Sequence, residues 1–265
     1  MIPTKAMTPH VPLTPAEIAD DVSSAVAIGI TAVHLHARDD DGAPTWHRDV
    51  YADIITRIRD RHPDLVINVS TSGRNFAEFE KRADVLALDG DIKPEVASLT
   101  LSSLNFLDGP SVNSPAIIRQ LASAMRDRAI VPELEVFDLG MLNFAGALRR
   151  EGILVGDIPA NIFLGNINGL QATPAELGLA IDRLPERIRW SGAGLGDAQA
   201  TAQMLAVATG GGVRVGLEDG IYFDHRRETL ATNGALVERV HRMLDVAGRR
   251  MMTPAEYRTE VLGRA

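Results

Sequence analysis

Short runs of β-branched and apolar residues alternate along the chain with longer stretches whose apolar positions recur every three or four residues. The short runs read as strands bounded by turns, and the longer stretches read as amphipathic helices. Strands are predicted at 30–38, 65–71, 95–101, 133–139, 160–166, 188–193 and 213–219. Several helix starts are legible between them. Thr14, Thr173 and Thr253 are each followed by Pro-Ala-Glu, the pattern of a capping box with proline at the first helical position, and Ser114-Pro115 opens another helix in the same way. Gly29 and Gly248 stand where left-handed helix stops are expected.

Strand and helix in strict alternation imply parallel strands joined by crossover helices. No G-x-G-x-x-G follows the first predicted strand, which removes support for an open dinucleotide-binding sheet. Polar residues at the ends of many strands favour a closed barrel, where active groups come from several strands. The expected fold is therefore α/β, a (β/α)8 TIM barrel forming one catalytic domain over residues 1–265. Seven strands are visible where a closed barrel needs one more, so the barrel reads as lacking its first strand at the N-terminus, with the natural place for it ahead of Met1.

Length and composition narrow the picture. The 265 residues match the roughly 250 of such a barrel. A net charge of −8 argues against a nucleic-acid or anionic-membrane partner, since phosphate binding relies on clustered Lys and Arg. There is no cysteine, so any metal must use histidine, carboxylates and water. No apolar run approaches the roughly 18 residues of a membrane span, and the first residues lack the apolar core of a signal peptide. A cytoplasmic protein is expected.

The candidate chemistry lies at the strand ends. His34 and His36 are two residues apart on the first predicted strand and so share a face, with Arg38 on that face just beyond. On the last predicted strand Arg214, Gly216 and Glu218 share a face. A buried Arg214 needs a partner, and Glu133 and Glu135, on one face of another strand, are candidates. His34, His36 and Glu218 make the His2Glu set of a catalytic zinc site with positions open to substrate, and Asp219 beside them suits a base or an orienting group. The loop from Ser70 to Arg74 can offer hydroxyls and backbone N–H groups to a carboxylate, or be only a polar turn. Ser98, Thr100 and Ser102, followed by Asn105, form a further polar wall. His62 and His241 are expected to face solvent, and His10 and His225 receive no role.

At this point the chain resembles a known family, the β-keto acid cleavage enzymes. The resemblance is carried by VPLTPAEIADD, AVHLHARDDDGAPT, INVSTSGRNF, KPEVASLTLSSLNF, PELEVFDLGM and GGGVRVGLEDGIY, in that order. It implies a TIM barrel, one zinc ion held by His34, His36 and Glu218, acetyl-CoA as co-substrate, and a homotetramer. The implied reaction converts a β-keto acid and acetyl-CoA into acetoacetate and a new acyl-CoA. It further implies that Asp219, supported by Arg214, deprotonates the keto acid, that Ser70 and Ser98 hold it, and that Glu135 is the buried acid near the arginine. Where the family prototype carries an acidic residue for a substrate amine, Ile2 stands here, so a neutral or apolar keto acid is expected. Two alternatives stand beside this reading. An amidohydrolase-type hydrolase also uses H-x-H on a barrel strand, but it needs further histidines that ELEVFDL and ANIFLGN lack. A non-catalytic relative is the other, and metal content with CoA exchange separates it from the enzyme.

Overall fold

A computed structural model describes residues 2–264. Seven strands form one parallel sheet: β1 Ala32–Leu35, β2 Val66–Val69, β3 Val96–Thr100, β4 Val131–Val136, β5 Ile158–Leu164, β6 Ile188–Gly194 and β7 Gly212–Val213. They pair in sequence order, each with the next, so the sheet curls progressively into a barrel wall with β1 and β7 at its edges. Among the described residues no eighth strand joins this sheet.

Helix α1 Pro15–Ile28 precedes β1, and α2 Arg48–Arg59, α3 Phe79–Ala83, α4 Pro115–Asp127, α5 Leu139–Arg150, α6 Pro174–Asp182, α7 Gln199–Thr209, α8 Asn233–Val246 and α9 Pro254–Glu260 come after it. Their apolar stripes bury Ile54, Ile55 and Ile58 from α2, and Ile118, Leu121 and Met125 from α4. The starts form as the sequence indicates. Thr14 with Glu17 and Thr253 with Glu256 close reciprocal capping boxes, and Thr173 and Ser114 each accept a first-turn N–H. Gly29 ends α1 at φ 114°, a conformation costly for any residue with a Cβ.

Three predicted strands end three or more residues early, each for a local reason. The first stops at Leu35, because Ala37–Arg38 leaves the sheet to pair antiparallel with Pro44–Thr45. The fourth stops at Val136, because Asp138 turns the chain by accepting the Met141 N–H as the cap of α5. The last keeps only Gly212–Val213, and residues 217–219 form a turn. That turn answers a geometric demand. In a straight strand, residues four apart lie about 13 Å apart, whereas Arg214 Nη2 reaches Glu218 Oε2 at 2.7 Å.

The gap between β1 and β7 is bridged on the outside by side chains. Asn233 of α8 donates to Asp21 of α1 at 2.6 Å, and His241 Nε2 donates to the Gly29 carbonyl at 2.8 Å. His241 is thus half-buried rather than solvent-facing, and His62, likewise half-buried, sits 2.9 Å from the Ser23 hydroxyl. The N-terminal segment lies across the same gap. The Pro3 carbonyl accepts from the buried Arg38 on one side, and Val11 packs with Leu217 and Leu236 on the other. Among the described residues no helix is long and apolar enough to cross a membrane.

Candidate active site

The barrel interior is polar where such barrels usually carry branched aliphatics. Strand register places His34 beside Asn68, Ser98 beside Glu133, Thr100 beside Glu135, and Glu135 beside Asn161. Hydrogen bonds join some of these side chains. Asn68 donates to Glu133 at 2.6 Å, and the Thr100 hydroxyl donates to Glu135 at 2.5 Å. Burial, aided by the charge of Glu135, pushes the Glu133 carboxyl up to about 7. A group with a raised folded-state pKa stabilises the fold while protonated and loses that contribution as pH rises through the raised value. Glu133→Gln keeps an acceptor for Asn68 and cannot ionise. Its melting temperature is therefore expected to gain on wild type as pH climbs from about 5 to about 8, measured by thermal denaturation across that range. Parallel melting curves at every pH refute the assignment.

Above this layer the three candidate ligands converge. His34 Nε2 and His36 Nε2 lie 3.1 Å apart, and His36 Nε2 lies 2.9 Å from Glu218 Oε1. His34 Nε2 stands 3.9 Å from Glu218 Oε2, and all the ligand atoms fall within 4.8 Å of one another. Two imidazole nitrogens and a carboxylate at these separations match three corners of a tetrahedron with metal–ligand bonds of about 2.0–2.2 Å. Protonation supports the fit. Burial, with the charge of Arg214, holds the His34 imidazole well below its ordinary value, leaving it neutral as a ligand must be. Burial alone would raise the Glu218 carboxyl, but the charges of His36 and Arg214 together hold it well below the usual range. The residues present fit a catalytic zinc ion. They also join the two edges of the sheet, since the histidines lie at β1 and Glu218 lies past β7.

Arg214 organises the second half of the site. The sequence pointed to Glu133 and Glu135 as its partners, but the direct ones are Glu218 at 2.7 Å and Asp219 at 3.2 Å, brought within reach by the turn after β7. Burial would lower the guanidinium, yet Asp219, Glu218, Glu135 and Glu133 together raise it, so it stays charged. Asp219 is 4% exposed, and burial raises its carboxyl while Arg214 opposes the shift. The Asp219 carbonyl accepts the Gly196 N–H at 2.7 Å, which fixes the turn.

A solvent-open cavity lies over these groups. His36, Ser70, Glu135, Arg214, Glu218 and Asp219 all line it. Ser98 and Asn105 do not. The Ser98 hydroxyl accepts the Thr71 N–H below the cavity wall, and the Asn105 side chain is exposed while its carbonyl accepts from Asn166. Arg38 is held by the Pro3 and Gly42 carbonyls, and Ile2, His10 and His225 are likewise absent from the lining. Ser72 and Arg74, on the loop the sequence had singled out, complete the walls with Phe106 and with Phe137 and Phe163, to which sequence reasoning assigned no role. Gly73 was the available signal. A Cβ there would stand 2.8 Å from Arg82 Nη1 and 2.9 Å from Asn113 Oδ1, so only glycine lets this loop lie flat. Arg82 in turn donates to the Thr71 carbonyl at 2.7 Å and pins the loop that presents Ser70, Ser72 and Arg74.

The sequence model of the beta-keto acid cleavage enzyme family matches residues 1–263. The chain belongs to that family. It is 35% identical to the 3-keto-5-aminohexanoate cleavage enzyme of Fusobacterium nucleatum subsp. nucleatum, over 96% of this chain and 92% of that protein. It is also 35% identical to the 3-oxoadipate:acetyl-CoA acetyltransferase of Cupriavidus necator, over 97% of this chain and 89% of that protein. Among solved structures, ObcA in complex with oxaloacetate superposes with a TM-score of 0.87 at 23% identity. That match covers 97% of this chain and 68% of ObcA, and it speaks for the TIM-barrel-like fold alone. A β-keto acid cleavage enzyme is an acyltransferase that breaks a carbon–carbon bond, so the hydrolase alternative falls away.

Proposed function

We propose that this β-keto acid cleavage enzyme is zinc-dependent and uses acetyl-CoA to convert a β-keto acid into acetoacetate and a new acyl-CoA. The observation that carries the proposal is the convergence of His34, His36 and Glu218 at a cavity that His36, Glu218, Asp219 and Arg214 line. A zinc ion held by the three ligands would polarise the keto and carboxylate oxygens and so acidify the carbon between them.

Asp219 then accepts a proton from that carbon, its carboxylate oriented by the Arg214 guanidinium. Arg214 stays protonated throughout and supplies fixed positive charge beside the developing enolate. Ser70, which also lines the cavity, presents its hydroxyl to the substrate carboxylate. The substrate carbanion attacks the acetyl carbon of acetyl-CoA and expels the CoA thiolate. That thiolate adds to the original keto carbon, the bond from this carbon to the former carbanion carbon breaks, and the electron pair leaves with acetoacetate. Asp219 returns the proton, so atoms and charge balance with no further reactant. Glu135, which accepts from the Thr100 hydroxyl and has its carboxyl raised chiefly by burial, adds to the field that keeps Arg214 charged.

The same reading includes a homotetramer in the cytoplasm. The test is a panel of β-keto acids with acetyl-CoA, following acetoacetate and acyl-CoA by mass spectrometry, with zinc counted per chain. Turnover of at least one acid by protein carrying about one zinc is expected. Zinc-loaded protein that forms no acyl-CoA from any acid overturns the proposal.

A further inference from the structure

The cavity holds two arginines, and the chemistry described so far uses one. Arg214 is committed to Glu218 and Asp219. Arg74, on the loop after β2, also lines the cavity, but it makes no ion pair with the cavity's carboxylates. Its ion-pair partner is Asp108 at 3.5 Å, on the tip of the hairpin formed by Leu104–Phe106 and Gly109–Ser111, and that side chain is 83% exposed. A pair this long and this solvated holds little of the arginine's charge.

Between the two guanidinium groups runs a row of aromatic rings. Arg74 stacks over Phe106 at 4.3 Å, and Phe106 meets Phe137 edge-on at 5.7 Å. Phe137 stacks on Phe163 at 4.5 Å, and Arg214 lies over Phe163 at 5.0 Å. All three rings line the cavity. The wall is therefore an apolar strip with a cation at each end, and the candidate metal ligands stand at the Arg214 end. A chain of methylene groups matches the strip. A carboxylate matches the far cation, because guanidinium binds carboxylate through paired, charge-assisted hydrogen bonds.

We propose that Arg74 is the subsite for a second, terminal carboxylate, so that the preferred substrate is a dicarboxylic β-keto acid. The proposal rests on the reading of the site as a zinc-dependent cleavage centre, and it replaces the neutral or apolar acid expected from Ile2. The keto acid's reacting end lies at His34, His36 and Glu218, its methylenes lie along Phe163, Phe137 and Phe106, and its far carboxylate displaces Asp108 from Arg74. Acyl-CoA products of this enzyme then carry a free terminal carboxylate.

The test compares a dicarboxylic β-keto acid with its terminal amide of equal length, in wild type, Arg74→Met and Arg74→Lys. Wild type is expected to favour the diacid in kcat/KM by about 10- to 100-fold. Arg74→Met is expected to erase most of that ratio through the KM of the diacid, and Arg74→Lys to retain part of it. A wild-type ratio near one overturns the subsite. So does a rise confined to the KM of acetyl-CoA, which would place a CoA phosphate on Arg74. Titration with unreactive adipate separates this proposal from the one beneath it. Adipate binding that weakens at least tenfold or so in Arg74→Met supports the subsite even where no keto acid turns over, and equal binding refutes it.

Discussion

Asp219→Asn is expected to lower kcat by about 10²- to 10⁴-fold, the range for loss of a positioned general base, while zinc content stays near wild type. The two halves of this expectation come from separate contacts. The candidate metal ligands are His34, His36 and Glu218, and Asp219 is not among them. Asparagine is nearly isosteric and still offers an oxygen to Arg214 Nε, now 3.2 Å from Asp219 Oδ2, so the turn after β7 keeps its shape. What disappears is a site for the substrate proton. Exchange of the keto acid's C2 hydrogens into deuterated water, without acetyl-CoA, isolates that step. Wild type should catalyse it, and Asp219→Asn should not. Full activity or full exchange in the variant removes Asp219 from its role.

The sequence made some parts of this site legible and hid others, for physical reasons. His34 and His36 were readable because two-residue spacing survives the early end of β1, leaving their Nε2 atoms 3.1 Å apart. The capping boxes at Thr14 and Thr253 were readable because they are local and depend on neighbours within four residues. Arg214, Glu218 and Asp219 were identified, but on the wrong backbone. A regular strand was the natural reading of alternating residues, whereas the ion pairs of Arg214 with residues four and five positions on require a turn. Ser98 looked like a cavity residue because it shares a strand face with Thr100. Depth along the strand, which pattern does not encode, leaves Ser98 on the Thr71 backbone and Thr100 at the cavity. The aromatic row was the least legible feature. Phe106, Phe137 and Phe163 come from three distant segments, and only the closure of the barrel wall stacks them.

His34→Ala is expected to lose zinc and turnover together. His34 is the most enclosed of the three candidate ligands, with a side chain 13% exposed against 35% for His36 and Glu218. Its replacement leaves two ligands, and metal affinity should fall by more than the roughly 10- to 100-fold that follows loss of an outer-shell partner. The loss should also appear in stability. A metal that binds only the folded chain adds to its stability by mass action, and here His34 and His36 at β1 and Glu218 past β7 tie together the two edges of the sheet. Chelator should therefore lower the melting temperature of wild type and leave His34→Ala almost unmoved, whereas Asp219→Asn should respond as wild type does. Together the two variants separate holding the metal from moving the proton. Zinc retained at wild-type stoichiometry in His34→Ala, or an equal chelator shift in all three proteins, would place the metal elsewhere in the chain. The His36–Glu218 contact at 2.9 Å would then be an ordinary ion pair across the barrel gap.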